Sequence, residues 1–257
     1  MVKHAKICIP LMATNIDVLE NELEYVISKR PDLVEWRVDR YLATHENWTC
    51  EELNEPLKLI RERLSDYDIP MIFTFRGQRE GGFLVVSDAV RLNCIYDILN
   101  QFRLDYVDIE LDLYEHYKDV DEGDTVTSLF KNCVDLARTK GTRLILSHHD
   151  FDKTPSFDEM IATIKRGQSL RGDYIKMAYM PHSANEVLKL LAACDYGTNV
   201  LNQKMITLSM GERGRISRVI SGEFGSEITF VKGFEASAPG QMTIDALKES
   251  WESVLMG

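Results

Sequence analysis

Eight short apolar runs, each followed by a longer amphipathic stretch, constrain the fold of this 257-residue chain more than any other feature. The runs are Lys6–Met12, Leu33–Val38, Pro70–Phe75, Tyr106–Leu111, Arg143–Ser147, Tyr174–Tyr179, Met205–Leu208 and Glu227–Phe230. They are short and rich in Ile, Val, Leu and Phe, as buried parallel strands are. Between them, apolar residues recur at spacings of three and four. In Ile16–Ser28, residues Val18, Leu19, Leu23, Val26 and Ile27 follow that spacing, with Asn15 and Asp17 as cap candidates. Similar patterns predict helices over Glu51–Leu64, Asp88–Gln101, Val126–Lys140, Phe157–Gln168, Ala184–Ala193, Gly214–Gly222 and Thr243–Leu255. Eight strand–helix units in about 250 residues match an α/β fold of the (β/α)8 barrel type, a single domain over 1–257. A doubly wound open sheet is the main alternative, but no Gly-x-Gly-x-x-Gly follows the first run. No linker or composition shift marks a domain boundary, and Asp119–Asp124 reads as a solvated loop between helices.

Composition narrows the partners. At 44% hydrophobic the chain is too apolar for disorder, yet no apolar run approaches the about 20 residues that span a bilayer. The net charge of −11 argues against nucleic acid or an anionic membrane as the main partner. The first residues carry lysines but no long apolar stretch, so no secretory signal is expected. Cys8, Cys50, Cys94, Cys133 and Cys194 are odd in number and form no Cys-x-x-Cys pair. They read as free thiols in a reducing cytoplasm.

In a barrel the C-terminal ends of the strands build the active site, and here those ends carry ionisable groups. The second run holds Glu35 and Arg37 on one side, with Asp39 in the same alternation. The third ends in Thr74 and Arg76, followed by Glu80, Gly81 and Gly82. The fourth has Asp108, Glu110 and Asp112 in alternation, and the fifth runs into Ser147, His148, His149 and Asp150. Lys176 lies inside the sixth, Arg218 follows the seventh, and Ser237 and Gln241 follow the eighth.

Each group has a plainer reading beside the catalytic one. Lys176 either pairs with Glu110 as a structural ion pair or, desolvated beside Arg37 or Arg218, attacks a carbonyl. His148 and His149 with Asp150 are potential metal ligands, but no further ligand motif accompanies them, and adjacent strand residues face opposite ways. The acidic set Asp108, Glu110 and Asp112 reads as a polar layer closing the barrel mouth. His4, His45, His116 and His182 read as surface residues, and Trp36, Trp48 and Trp251 as packing.

Seven motifs, in order, resemble the type I 3-dehydroquinate dehydratases. They are EWRVD (Glu35–Asp39), TFR…EGG (Thr74–Gly82), SHHDF (Ser147–Phe151), KMA (Lys176–Ala178), ISR (Ile216–Arg218), FGS (Phe224–Ser226) and ASAPGQ (Ala236–Gln241). The resemblance implies a cytoplasmic, homodimeric shikimate-pathway barrel that converts 3-dehydroquinate to 3-dehydroshikimate and water, with no metal or organic cofactor. It implies that Lys176 forms a Schiff base with the substrate ketone, that His149 is the general acid/base, and that Glu80 orients His149. Glu35, Arg37 and Arg76 would contact the ring hydroxyls and polar end of the substrate. Arg218, Ser237 and Gln241 would hold its carboxylate and nearby hydroxyls. The chain departs from the family pattern at Pro10, where members carry a Ser, at Leu208, where some carry a Met, and at His148.

The chemistry agrees with that implication. An imine is a better electron sink than a ketone, so the neighbouring C–H becomes acidic, and lysine makes that linkage reversibly. One histidine can take the carbon-bound proton and then protonate the departing hydroxyl. Lys232–Gln241, with glycines near its ends, is expected to be a mobile lid. Two other readings fit parts of the pattern: a class I aldolase, and a non-catalytic barrel that binds a quinate-like metabolite. The first commonly takes phosphorylated sugars, and no clear phosphate loop follows the seventh and eighth runs. The second has no need of an imine-forming amine.

Overall fold

The structure is a computed structural model that describes residues 4–118 and 123–255. The eight runs form strands β1 (Lys6–Leu11), β2 (Leu33–Arg37), β3 (Met71–Thr74), β4 (Tyr106–Glu110), β5 (Arg143–Asp150), β6 (Tyr174–Tyr179), β7 (Lys204–Ser209) and β8 (Ile228–Phe230). The helices are α1 (Ile16–Lys29), α2 (Val38–Leu42), α3 (Asn54–Ser65), α4 (Asp88–Gln101), α5 (Leu111–Tyr117), α6 (Gly123–Lys140), α7 (Phe157–Ser169), α8 (Ala184–Asn199), α9 (Gly211–Ile220) and α10 (Ile244–Leu255). All neighbouring strands are parallel, in the order β7-β6-β5-β4-β3-β2-β1-β8. A parallel bridge between Met205 and Ser226, with Glu227 N donating to Met205 O at 2.8 Å, brings the two ends together. The order never reverses, so the open doubly wound sheet is excluded and the architecture is a nearly closed (β/α)8 barrel.

Three boundaries move functional residues. β2 stops at Arg37 and passes straight into α2, so Asp39 is a helical residue and not a third member of the strand alternation. β4 likewise passes into α5 after Glu110, which puts Asp112 on a helix. β5 continues through Asp150, pairing His148 with Met177 and His149 with Ala178, because the longer β6 offers backbone partners beyond Ser147. Asn15 caps α1 by accepting from Val18 N at 3.0 Å. Residues 119–122 of the acidic stretch at Asp119–Asp124 lie outside the described residues, and its last two residues begin α6.

One expectation is overturned. Cys50 and Cys94 form a disulfide, with Cα atoms 5.5 Å apart, that ties the turn before α3 to α4. The two are 44 residues apart, and only the packing of that turn on α4 brings them together. Cys8, Cys133 and Cys194 are buried thiols outside the bridge.

Apolar residues divide into an outer shell between strands and helices, which includes Trp36, Phe73, Leu92 and Leu146, and a smaller inner cluster. Cys8, Leu33, Ile72, Tyr106, Ile145, Tyr174, Ile206 and Ile228 form the lower part of the inner cluster. Two residues further along each strand the inward side chain changes character: Leu33 gives way to Glu35, Ile72 to Thr74, Tyr106 to Asp108, Ile145 to Ser147 and Tyr174 to Lys176. The period of two that defines a strand therefore stacks a polar layer on an apolar plug.

Candidate active site

That polar layer floors a cavity of about 490 Å³ whose lining includes Glu35, Arg37, Arg76, Glu80, His149, Lys176, Arg218, Ser237 and Gln241. These are the nine residues to which the family resemblance gives a role, and the barrel brings them all to one place. Phe151, Ala178, Leu208, Met210 and Phe230 add an apolar wall. Leu208 is thus a wall residue, whereas Pro10 is not among the lining residues and faces Glu35 in the β1–β2 ladder. Proline is accommodated there because pairing with β8 ends at Cys8.

Lys176 is 4% exposed, and its Nζ donates to Glu35 at 3.2 Å and Asp108 at 3.0 Å while lying 4.5 Å from the centre of the Phe230 ring. The ion pair with Glu110 that the plainer reading invokes does not form. Glu110 is instead committed to Arg76, Arg91 and the Gly77 amide. Nor do Arg37 and Arg218 supply the immediate surroundings of Lys176; two carboxylates do.

His149 points into the cavity, while His148 turns to Tyr179, with its Nδ1 3.0 Å from the hydroxyl. Glu80 Oε2 lies 2.6 Å from His149 Nδ1 and also accepts from the His149 amide at 3.1 Å. Burial, followed by the charges of Arg76 and Lys176, pushes His149 well below its ordinary value, so its imidazole rests neutral. Burial, followed by the charge of Glu110, pushes Glu80 well up. A neutral imidazole bonded through Nδ1 leaves Nε2 for proton transfer.

Glu80 ends a short 3-10 turn, Gln78–Glu80, and Gly81 closes it at φ 82°, where a side chain would be strained and would strike the Phe151 ring. A Cβ on Gly82 would lie 2.2 Å from the Arg76 carbonyl. The EGG motif is therefore a backbone device that folds the chain back under Arg76 and aims Glu80 at β5. Asp39 anchors the same loop. It accepts from Arg37 Nε and Nη2, both at 2.8 Å, from the Phe83 amide at 3.0 Å and from the Arg76 amide at 3.3 Å.

The arginines differ in their partners. Arg37 is held bidentately by Asp39. Arg76 donates to Asp108 at 2.9 Å, Ser147 at 2.7 Å and Glu110 at 3.4 Å. Burial opposes its charge, but Asp108 and Glu110 outweigh burial and raise its pKa. Asp108 is the counterpart: burial would raise it, but Arg76 and Lys176 hold it at about 2. Arg218 is 1% exposed and donates to the carbonyls of Phe230 at 3.1 Å and Pro239 at 3.2 Å. Burial lowers it to about 10. It forms no ion pair with a carboxylate among the described residues.

The segment Lys232–Gln241 crosses the mouth from the β8 side. Ser237 N donates to Gln241 Oε1 at 2.8 Å, and Gln241 Nε2 donates to Ser237 Oγ at 2.9 Å, so the two residues face the cavity as one unit. Phe234 packs at a tilt against Tyr25 with centroids 5.2 Å apart, and Glu235 pairs with Arg40 at 3.3 Å.

A model of the type I 3-dehydroquinase family matches residues 7–254. The chain is 36% identical over 247 residues to a 3-dehydroquinate dehydratase of Aromatoleum aromaticum, covering 96% of this chain and 88% of that protein. It belongs to the type I 3-dehydroquinase family. It is accordingly an enzyme of the hydro-lyase class. Among solved structures it is similar to the 3-dehydroquinate dehydratase of Geobacillus kaustophilus, with a TM-score of 0.85 and 30% identity over 98% of this chain and 92% of that one. A type I enzyme from Clostridium difficile, solved with covalent modified comenic acid, gives 0.84 at 30% identity over 98% and 92%. No helix among the described residues of this 3-dehydroquinase family member is long and apolar enough to cross a membrane.

Asp39, Asp108 and Glu110 hold this 3-dehydroquinase site together more tightly than the sequence suggests. The alternation around Asp108 and Glu110 marks them as inward-facing, but not which cation each meets. Arg91, on α4, has no sequence signal at all.

Proposed function

We propose that this barrel converts 3-dehydroquinate to 3-dehydroshikimate and water through an imine on Lys176, with His149 as general acid/base and Glu80 as its orienting partner. One observation carries the reading. A buried primary amine, a neutral imidazole bonded to a carboxyl group, and an arginine with no carboxylate partner among the described residues line the same cavity.

The Lys176 nitrogen adds to the substrate ketone, and loss of water gives the protonated imine. The imine draws electrons from the adjacent carbon, whose proton passes to the neutral His149 imidazole and leaves an enamine. The enamine electrons then expel the β-hydroxyl, which takes the proton back from His149 and departs as water. Hydrolysis of the conjugated imine frees the product and restores the amine. Asp108, held as an anion, and Glu35 fix the position of Nζ before attack. Arg37, Arg76 and Glu35 face the ring hydroxyls. Arg218 offers a planar pair of donors to the substrate carboxylate, and Ser237 and Gln241 complete that end. The covalent modified comenic acid of the Clostridium difficile relative is in keeping with covalent chemistry in this family.

Borohydride reduction in the presence of 3-dehydroquinate should leave an adduct on the Lys176 peptide, seen by mass. His149→Ala should lower turnover by about 10²–10⁴-fold while still permitting some trapping. Absence of the adduct, or full activity in Lys176→Ala, would sink the imine mechanism. The family resemblance also supports a cytoplasmic homodimer, which sedimentation at micromolar concentration checks.

A further inference from the structure

Arg91 is a buried arginine on the apolar face of α4, among Leu92, Cys94, Ile95 and Ile98, and is 2% exposed. Long charged side chains are rarely this buried unless paired, and pairing at such depth gives little net stability over an apolar residue. Its guanidinium donates to the Phe75 carbonyl at 2.6 Å, to Asp88 at 2.7 Å and to Glu110 at 2.6 Å. Glu110 in turn accepts from the Gly77 amide and from Arg76. Two of these bonds therefore grip the backbone on either side of Arg76, at Phe75 and Gly77.

The gripped segment needs a brace. Glu80 borders the substrate cavity on one side and a second polar cavity of about 540 Å³ on the other. The second cavity is also lined by Arg91, Glu110 and Asp112. Glu80 Oε1 has no hydrogen-bond partner among the described residues, so the carboxyl is positioned through Oε2 and through its own backbone.

From this geometry we infer that Arg91 is a positioning residue for the reaction: with Glu110 it braces Phe75–Glu80 from behind and holds Arg76 and Glu80 in register with the substrate and His149. The inference rests on the His149–Glu80 assignment made above. It goes beyond that assignment because Arg91 is not among the residues lining the substrate cavity. The charges around Glu80 are Arg76 on its own loop, Asp108 and Glu110 from β4, Asp112 from α5, His149 from β5 and the Tyr179 phenol from β6. Arg91 compensates Glu110, the largest anionic influence on Glu80. Withdrawing that cation makes the Glu80–His149 pair harder to deprotonate, so the acid limb of the pH–rate profile must move to higher pH.

The test measures kcat and KM across pH for Arg91→Met, Arg91→Lys and Gly77→Ala, with borohydride trapping run alongside. A Cβ at Gly77 would fall 2.5 Å from Arg91 Nη2, so that variant displaces the guanidinium without deleting it and serves if Arg91→Met does not fold. Arg91→Met should lower kcat by up to about 10²-fold, as a small misplacement of catalytic groups does. Its KM should change far less, and the acid limb should shift upward. Gly77→Ala should move the limb in the same direction, and Arg91→Lys should recover most of both effects. An acid limb that stays in place in Arg91→Met and Gly77→Ala, however low the rate, overturns the inference. Failure of the unsubstituted enzyme to trap an imine would instead count against the Lys176 mechanism and leave the Arg91 comparison, read from turnover, intact.

Discussion

From β2 round to β6 the buried cations of the cavity are matched by carboxylates: Arg37 by Asp39, Arg76 by Asp108 and Glu110, and Lys176 by Glu35 and Asp108. Between β7 and β8 the arrangement is different. Arg218, just as buried, meets two backbone carbonyls. The paired side holds its shape before any ligand arrives, because its charges already neutralise one another and satisfy their hydrogen bonds. The other side presents a buried cation with no carboxylate partner among the described residues, the charge that the proposed reaction assigns to the substrate carboxylate. The net charge of −11 does not oppose the proposed anionic substrate, since distant surface charges are screened by salt while Arg218 lies in the cavity lining.

The contrast can be broken first on the paired side. Asp108→Ala leaves Arg76 and Lys176 short of a buried counter-charge and should lower the free energy of unfolding by about 3–5 kcal/mol, read from urea denaturation at neutral pH. Asp108 sits at about 2 in the folded protein against an ordinary 3.8, so its stabilisation is present above the ordinary value and is lost as pH falls toward 2. If Asp108→Ala proved as stable as the parent across that range, the paired side would not be the rigid half.

Arg218→Met should show the opposite pattern. It removes a buried charge that has no carboxylate partner among the described residues, and the desolvation relieved offsets the two carbonyl bonds lost. The unfolding free energy should therefore fall by less than about 2 kcal/mol, well short of the Asp108 loss. KM for the substrate should nevertheless rise roughly 10–100-fold with the loss of charge-assisted bonds. Arg218→Lys should recover only part of that loss, because an ammonium cannot reproduce the planar pair of donors. A large stability loss with unchanged KM would reverse the assignment of roles.

Glu22 sharpens the comparison with a third way of holding a buried charge. Its carboxyl is 3% exposed and accepts from the Met12 and Ala13 amides at 2.8 and 3.0 Å, just past the end of β1. Burial raises it to about 7 despite those two bonds. A raised carboxyl favours the fold fully below its ordinary 4.5, and that contribution is lost as pH rises through about 7. Glu22→Gln keeps the acceptor and removes the ionisation, so it should match the parent at pH 4. It should exceed the parent by up to about 3 kcal/mol at pH 8, measured as unfolding free energy. Equal stability at both pH values would mean that backbone amides alone carry this anion as well as the cations carry Asp108.

Much of the barrel can be read directly because its signals are local. A period of two with Ile and Val marks a strand, a period near 3.6 marks a helix, and eight alternations leave few ways to fold. The same local logic marked Glu35, Arg37, Arg76, Glu80, His149 and Lys176, which the barrel gathers around one cavity, since ionisable groups at strand ends stand out against an apolar background. It misplaced Asp39 and Asp112, because a helix begins immediately after each strand with no separating turn residue. It also missed the Cys50–Cys94 bridge and read Lys176 as beside Glu110 or the arginines.

What the chain's own pattern determined, then, was which residues face inward and at which end of the barrel they gather, because alternation is a property of adjacent residues. Which charge meets which was decided by the tertiary structure alone. Lys176 meets Asp108 across 68 residues, Glu80 meets His149 across 69, and Arg91 reaches Glu110 from a helix on the outer face. Those pairings depend on strand register and helix docking, and a slip of one residue would turn each inward side chain to the other face.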